Sequence, residues 1–296
     1  MAIPIKHRIL LSLLFFLFVP AIGAASSYWQ QEVNYRIDVT LAPDLRTITG
    51  TIDIQYINYS SDTLRVLYLK AFPNAVQRGS YADLAARQRN EYELANSKHE
   101  NAGSLTLVPI PDRTRDGSVR SELSPPFEVD NTIITVTLNH PIAPGDTANI
   151  KYGFKTVLPN GNEMRMGKFQ RVTKAAYWYP QACVYDRKLG WANAQYIGWG
   201  ECYGDFGAFD VTITAPEDQI VAATGVLVNE SEVIPDSLRQ LYDLSNFLKP
   251  KSDWPKFDFD TSKTKTWHYI AEKTNDFAFS CSNNWCLDTT SYNGVQ

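Results

Sequence analysis

The histidines and cysteines able to hold a metal are few in this sequence, four of each, and most of them stand apart. A zinc hydrolase helix needs His-Glu-x-x-His, so that two imidazoles project from one face onto the ion while the intervening glutamate activates water. The chain has four histidines, His7, His99, His140 and His268, and none is paired in that way. His268, set between Trp267 and Tyr269 in a strand-like run, reads as a packed or surface histidine rather than a ligand. No Gly-x-Ser-x-Gly elbow offers a nucleophile, and no Gly-x-Gly-x-x-Gly or Walker pattern follows a strand to cradle phosphate. Paired carboxylates remain: Glu201 and Asp205 in "GWGECYGDFGAFD", a pair of the type that glycosidases place across a sugar bond. Gly200, Gly204 and Gly207 make this stretch a tight, irregular loop, where carboxylates more often accept hydrogen bonds from backbone N–H groups, so the structural role is preferred. The cysteines are Cys183, Cys202, Cys281 and Cys286; no Cys-x-x-Cys occurs, which argues against a zinc site and for structural cysteine, free or disulfide-bonded.

One aromatic run carries a second kind of chemistry. In "AAYWYPQACVYDRKLGW", Tyr177, Trp178, Tyr179, Tyr185 and Trp191 could stack on sugars, wall a peptide cleft, or form the seam between packed sheets. By residue type, core packing is favoured. A carbohydrate-binding β-sandwich using Trp178, Trp191 and Trp199 as platforms, or a protein-interaction β-sandwich, stands as the alternative to any enzymatic role.

The elements that must position these residues are strands. Tyr35, Ile37, Val39 and Leu41 alternate with Arg36, Asp38 and Thr40, the period of a half-buried strand. After the Pro43-Asp44 turn the same pattern runs through Ile48, Gly50, Ile52, Ile54 and Tyr56, which predicts a hairpin. Leu64–Leu69, Thr132–Leu138, Asn149–Phe154, Phe209–Thr214 and Gln219–Ala223 extend the series, with Pro144-Gly145 as a turn. Short strands joined by Gly, Pro and Asp turns predict an all-β fold of antiparallel sheets rather than a parallel α/β core. Helices are expected only as insertions, over Tyr81–Asn96 and over Asp236–Leu248, the latter capped by Asp236 with Leu238, Leu241 and Leu248 on one face. Leu248–Lys265, with Lys249-Pro250 and Trp254-Pro255, reads as an irregular surface excursion.

A length of 296 residues allows one large core or two smaller ones, and 44% hydrophobic with 20% charged residues excludes global disorder. The net charge of -4, without a Lys/Arg cluster, gives no reason to expect nucleic acid as a partner. Seven Trp, 16 Tyr and 14 Phe favour β-rich architecture. The N-terminus reads as a secretory signal over residues 1–24: Lys6-His7-Arg8 is the basic region, Ile9–Val19 the apolar region, and the small residues around Gly23–Ala25 suit signal peptidase. The expectation is an exported chain, periplasmic or extracellular, without a stable membrane anchor after cleavage; no cysteine at the junction would take a lipid.

Five blocks in order carry a family resemblance: "YWQQEVNYRIDVTL", "TITGTIDIQYINYSSDTLRVLYLKAFPNA", "YWYPQACVYDRKLGW", "GECYGDFGAFDVTITAPEDQIVAATG" and "TKTWHYIAEKTNDFAFSCS". Together they resemble the N-terminal β-domain of M1-family zinc aminopeptidases, most of all the secreted bacterial members. The resemblance implies a saddle-shaped all-β domain over residues 28–280, with 281–296 as the start of a thermolysin-like catalytic domain. That domain would carry the Gly-x-Met-Glu-Asn loop and the His-Glu-x-x-His helix. Here "DFAFSCS" looks like the crossing between the two domains and "LDTTSYNGVQ" like the first hairpin after it. On that resemblance the chain is a truncated gene product, a partial sequence or a cut piece, inactive alone. It would hold no cofactor itself, zinc belonging to the full-length parent, whose substrate is a peptide shortened from its N-terminus. The family's N-terminal domain walls the substrate cleft and supplies a Gln that holds the peptide's free amino group; Gln170, in "GKFQRVTK", is the nearest match.

Overall fold

The structure, a computed structural model, describes residues 28–89, 102–113, 119–122, 124–161, 165–198, 200, 203–241, 243–254, 260 and 262–283. The expected signal segment lies outside these residues, as do His7, His99, Trp199, Glu201, Cys202, Cys286 and the "LDTTSYNGVQ" hairpin.

The expected first hairpin is formed by β1 (Glu32–Leu41) and β2 (Thr47–Ile57), with Leu41 opposite Ile48. Its turn is fixed locally. Leu45 takes a left-handed conformation (φ 58°), and Asp44 Oδ1 accepts from the backbone N–H groups of Arg46 and Thr47 at 2.9 and 2.8 Å. Along the chain follow β3 (Leu64–Lys70), β4 (Ser104–Val108), the short β5 (Pro111–Arg113) and β6 (Val119–Glu122), β7 (Phe127–Asp130), β8 (Ile133–Ile142) and β9 (Thr147–Val157). The second half supplies β10 (Gly167–Phe169), β11 (Val172–Ala175), β12 (Gln181–Ala182), β13 (Tyr185–Asp186), β14 (Gly190–Trp191), β15 (Gly207–Pro216), β16 (Ile220–Ala223), β17 (Val226–Leu227), β18 (Thr264–Thr274) and β19 (Phe279–Ser282).

These strands make a seven-stranded sheet ordered β17-β18-β15-β1-β2-β9-β4 and two four-stranded sheets, β12-β3-β8-β7 and β10-β11-β19-β16. Two short ribbons, β5-β6 and β13-β14, complete the set, and the fold is all-β with short helices. Antiparallel pairing holds for every described strand pair but one. β1 and β15 run parallel, with Tyr35 opposite Phe209 and Thr40 opposite Thr214. A parallel pair needs a long crossover, and the whole intervening half of the chain serves as one. Sequence alternation reports which face a strand buries but not the direction of its neighbour.

Alternation sends Val33, Tyr35, Ile37, Val39 and Leu41 from β1 into a common core with Ile52, Ile54 and Tyr56 from β2 and Tyr152 and Phe154 from β9. Phe209, Val211 and Ile213 of β15 and Trp267 and Tyr269 of β18 continue that face. At the far edge β17 is only two residues long, and Asn229 takes over its pairing with β18. Its Oδ1 accepts from the His268 N–H at 3.0 Å and its Nδ2 donates to the Thr266 carbonyl at 2.9 Å, so a side-chain amide stands in for a peptide unit.

The helices are shorter than the sequence predicts. The first spans Tyr81–Gln88, with Ser80 as its cap accepting from the Asp83 N–H; residues 90–96 lie outside the described set. The expected helix over Asp236–Leu248 is instead two, Asp236–Leu241 and Leu244–Phe247. Asp243 breaks it, because its carboxylate accepts from the Ser245 N–H at 2.8 Å and starts a new turn. Of the three leucines expected on one face, only Leu238 is buried, and Leu248 is 79% exposed. The following segment is the expected surface excursion where it is described, with one 3-10 turn at Lys251–Asp253.

Candidate functional site

Gln170 sits at the tip of the β10–β11 hairpin. Phe169 pairs with Val172, leaving Gln170 and Arg171 as the turn, and Gln170 takes a left-handed conformation (φ 55°). The hairpin is pinned to the β1–β2 turn: Lys168 Nζ donates to the Asp44 carbonyl and Thr173 Oγ1 to that of Leu45, at 3.2 and 2.8 Å. The Gln170 side chain is therefore carried on an anchored turn, exposed, with no hydrogen-bond partner among the described residues. It is available to a ligand.

Among the described residues Asp205 stands out as a buried carboxyl group. Of the Glu201/Asp205 pair it alone is described, and the expectation that it accepts backbone N–H groups fails: it is 5% exposed, and both carboxylate oxygens lack a hydrogen-bond partner of normal geometry. Burial pushes its pKa up to about 7; the nearby Gln30 amide lowers it and the charge of Asp186 raises it further. Gly204 brings it inside, since a Cβ there would lie 2.6 Å from the Asn275 carbonyl oxygen and 2.9 Å from Gln181 Nε2. Asp205 faces other buried groups that give up protons reluctantly. The Tyr35 and Tyr56 hydroxyls and the Cys183 thiol, the last at about 12, are all raised by burial first and by the Asp205 charge as well. The Tyr56 hydroxyl too is buried without a partner. An acid titrating near neutrality could exchange a proton here, although the side chain itself is buried away from solvent.

The aromatic run resolves into seam and surface. Trp178 is fully buried, with its ring 6.0 Å from that of Phe154 on β9 and 5.2 Å from that of Phe279 on β19, so it ties the seven-stranded sheet to a four-stranded one. Its Nε1 donates to the Phe277 carbonyl at 3.0 Å, Tyr179 Oη to Asp276 Oδ1 at 3.1 Å, and Gln181 Nε2 to the Asn275 carbonyl at 2.8 Å. The "YWYPQ" and "NDFAF" segments are thus stitched side by side. Trp178 cannot serve as a sugar platform and Trp191 is half-buried against Tyr56 and Tyr68, while Trp199, the third ring of the set expected from sequence, lies outside the described residues.

Zinc does not fit the described residues. His268 Nε2 lies 2.7 Å from Asp210 Oδ1 across β18 and β15, a single partner on an open sheet face, and no three His, Cys, Asp or Glu side chains converge as a ligand set among the described residues. Cys183 and Cys281 are buried free thiols, with Cys281 also held up at about 12 chiefly by burial. No described helix is long and apolar enough to cross a membrane.

Two open clefts mark the described surface. One, of about 350 Å³, runs between the end of β8 and the start of β9 beside His140 and Asn149. The other, of about 390 Å³, is lined by Trp29, Tyr59, Asp62, Tyr185, Asp186 and Arg187. Tyr185, expected to pack or to stack, stacks on Trp29 and donates to Asp62 Oδ2; for Tyr59 and Asp62 the available sequence signal is an isolated aromatic in a polar stretch, "NYSSD".

No protein-family model matches the chain, and no curated protein matches it. Among solved structures the chain is similar to an M1 zinc metallopeptidase from Deinococcus radiodurans, at 11% identity with a TM-score of 0.43. A mutant of that enzyme bound to a Tyr-Ser-Ala substrate matches at 11% identity with a TM-score of 0.42. Both alignments cover 86% of this chain, which spans 42% of the length of those chains.

Proposed function

We propose that this chain is the N-terminal β-domain of an M1-like zinc aminopeptidase, exported from the cell, whose parent releases N-terminal residues from peptides. The observation that carries the reading is the order of the five sequence blocks. What supports it in three dimensions is the joining of two of them, "YWYPQ" and "NDFAF", through Trp178, Tyr179 and Gln181. In this reading the β-domain spans residues 28–280, and strand β19 (Phe279–Ser282) lies where the chain would cross to the next domain.

In this reading the zinc that activates water and polarises the scissile carbonyl belongs to the parent's catalytic domain. The part played by this chain is binding. Gln170, presented on its pinned hairpin, offers an amide oxygen to the peptide's ammonium group, and the β10–β11 hairpin forms one wall of the cleft. Such a contact is made equally in the ground state and the transition state, so Gln170→Ala in the parent is expected to raise KM by about tenfold with kcat nearly unchanged. Steady-state kinetics on aminoacyl-anilides checks this, and an unchanged KM removes Gln170 from the reading. The domain assignment has its own test. The purified chain alone should release no amino acid from such substrates; chelator-sensitive release by the isolated chain would overturn it. Genomic sequence downstream of Gln296 with an open frame encoding Met-Glu-Asn and His-Glu-x-x-His would support it.

A further inference from the structure

We propose that the cleft lined by Trp29, Tyr59, Asp62 and Asp186 recognises a primary alkylammonium group, the side chain of a lysine on a polypeptide partner. Neither the peptidase reading nor Gln170 takes part in it. Such a side chain has two halves with different needs: an apolar stem that gains by leaving water, and an ammonium head that carries N–H donors and no acceptor. A site for it pairs a flat aromatic wall with fixed, negatively charged acceptors. The wall is built from rings. Trp29 stacks on Tyr185 with ring centres 5.7 Å apart and planes at 27°, and Tyr59, 50% exposed, lines the same cleft. Behind them Tyr185 lies 4.9 Å from Trp191, which in turn meets Tyr68 at 5.4 Å and Tyr56 at 6.1 Å. Rings held from behind lose little freedom when a ligand settles on them, and their faces attract a cation.

The acceptors are held in place by the protein through one oxygen each. Tyr185 Oη donates to Asp62 Oδ2 at 2.6 Å, leaving Asp62 Oδ1 open among the described residues. Asp186 Oδ1 accepts from the backbone N–H groups of Lys188 and Leu189, both at 2.7 Å, while Oδ2 has only the Tyr203 hydroxyl at 3.5 Å. The groups that orient these two carboxylates are all neutral, so each keeps its charge and a second oxygen for a charge-assisted hydrogen bond. Arg187, also on the lining, already has a partner of its own, and the site does not draw on it. These polar groups select the occupant. A trimethylated head would suit the rings but has no N–H for the two open oxygens, and a sugar hydroxyl could donate to them but brings no charge to meet the carboxylates. A primary ammonium does both. The cleft volume of about 390 Å³ falls within the usual range for small-ligand sites, about 300–1,000 Å³.

The test is saturation-transfer NMR and tryptophan fluorescence titration of the full chain with Nα-acetyl-lysine N-methylamide, whose blocked α-amino group leaves the side chain as its one ammonium. A Kd of about 0.1–10 mM is expected. The uncharged norleucine analogue and the Nε-trimethylated analogue should each bind at least about fivefold more weakly. Asp62→Asn and Asp186→Asn keep an oxygen for the Tyr185 hydroxyl and for the Lys188 and Leu189 N–H groups while removing the charge, and each should weaken binding about tenfold. Tyr59→Ala should weaken it about fivefold, and Tyr59→Phe should keep it within about twofold. The melting curve of Tyr59→Ala, whose ring is half-exposed, is expected to match the parent's, so a failure of either Asn variant to fold would leave the site testable. Absence of saturation transfer at about 10 mM, or binding untouched by both Asn variants or by Tyr59→Ala, would overturn the proposal. So would binding of the norleucine analogue, the trimethylated analogue or methyl glucoside as tight as that of the lysine probe. Gln170→Ala should leave binding of the lysine probe unchanged, so the two readings can fail separately.

Discussion

A carboxyl group sealed among phenols and a thiol makes this protein's stability depend on pH in an uncommon direction. Burial raises the folded pKa of Asp205 to about 7 from the ordinary aspartate range, so the native state holds the proton where the unfolded chain has lost it. Its contribution is then complete below about pH 4, is lost as pH rises through the folded pKa, and is flat above that, a span of roughly 4 kcal/mol. The melting temperature is expected to fall between pH 5 and pH 8, and Asp205→Asn, which keeps the shape without the charge, should remove most of that slope. Calorimetry across this range checks it, and an identical slope in the variant would mean that other groups set it. The position of this acid among glycines could be read directly from "GECYGDFG". Its environment could not, because the groups that enclose it include Tyr35 and Tyr56, far away in sequence. Gln170 shows the opposite case: the family resemblance suggests a role for it, while the structure adds only a pinned, exposed turn.

At the scale of elements, alternation is a sound guide wherever one face of a strand is buried, as in β1, β2 and β9, whereas helical spacing misleads where the local sequence offers two hydrogen-bonding choices. Asp243 is such a place. Leucine spacing predicts a continuous helix through it, yet an aspartate that captures the N–H two residues on is a better start than an interior residue. Direction and closeness of strands were equally hidden. Gly50 reads as one more member of an apolar face, but a Cβ at that position would lie 1.9 Å from the Asp38 carbonyl oxygen. Gly50→Ala is therefore expected to cost about 3 kcal/mol or more by forcing β1 and β2 apart, measured by urea unfolding; a loss below 1 kcal/mol would show that the pair can shift to admit a methyl group. Ser80→Ala removes both the cap of the Tyr81–Gln88 helix and the Oγ hydrogen bond to the Ala75 carbonyl at 2.6 Å, and should cost about 1–2 kcal/mol in the same assay.

Across the whole molecule, the all-β class was legible because turn residues and period-two runs fill the chain, whereas the way three sheets meet was not, since that depends on a few large side chains at the seam. Trp178 is the chief of these. Trp178→Ala should cost about 3–5 kcal/mol, while Trp178→Phe keeps much of the packing but strands the Phe277 carbonyl and should cost about 1–3 kcal/mol; thermal unfolding of the two variants separates the ring from its N–H. The same seam sets the order in which the protein can be made. Strand β19 lies between β11 and β16, with Thr173 and Val221 both opposite Cys281. As the polypeptide leaves the ribosome, β11 and β16 emerge well before the strand that joins them. At synthesis rates of about 5–20 residues per second their edges stay open for several seconds, an interval in which a nascent-chain chaperone or a neighbouring copy could occupy the gap that residues 279–282 are meant to fill.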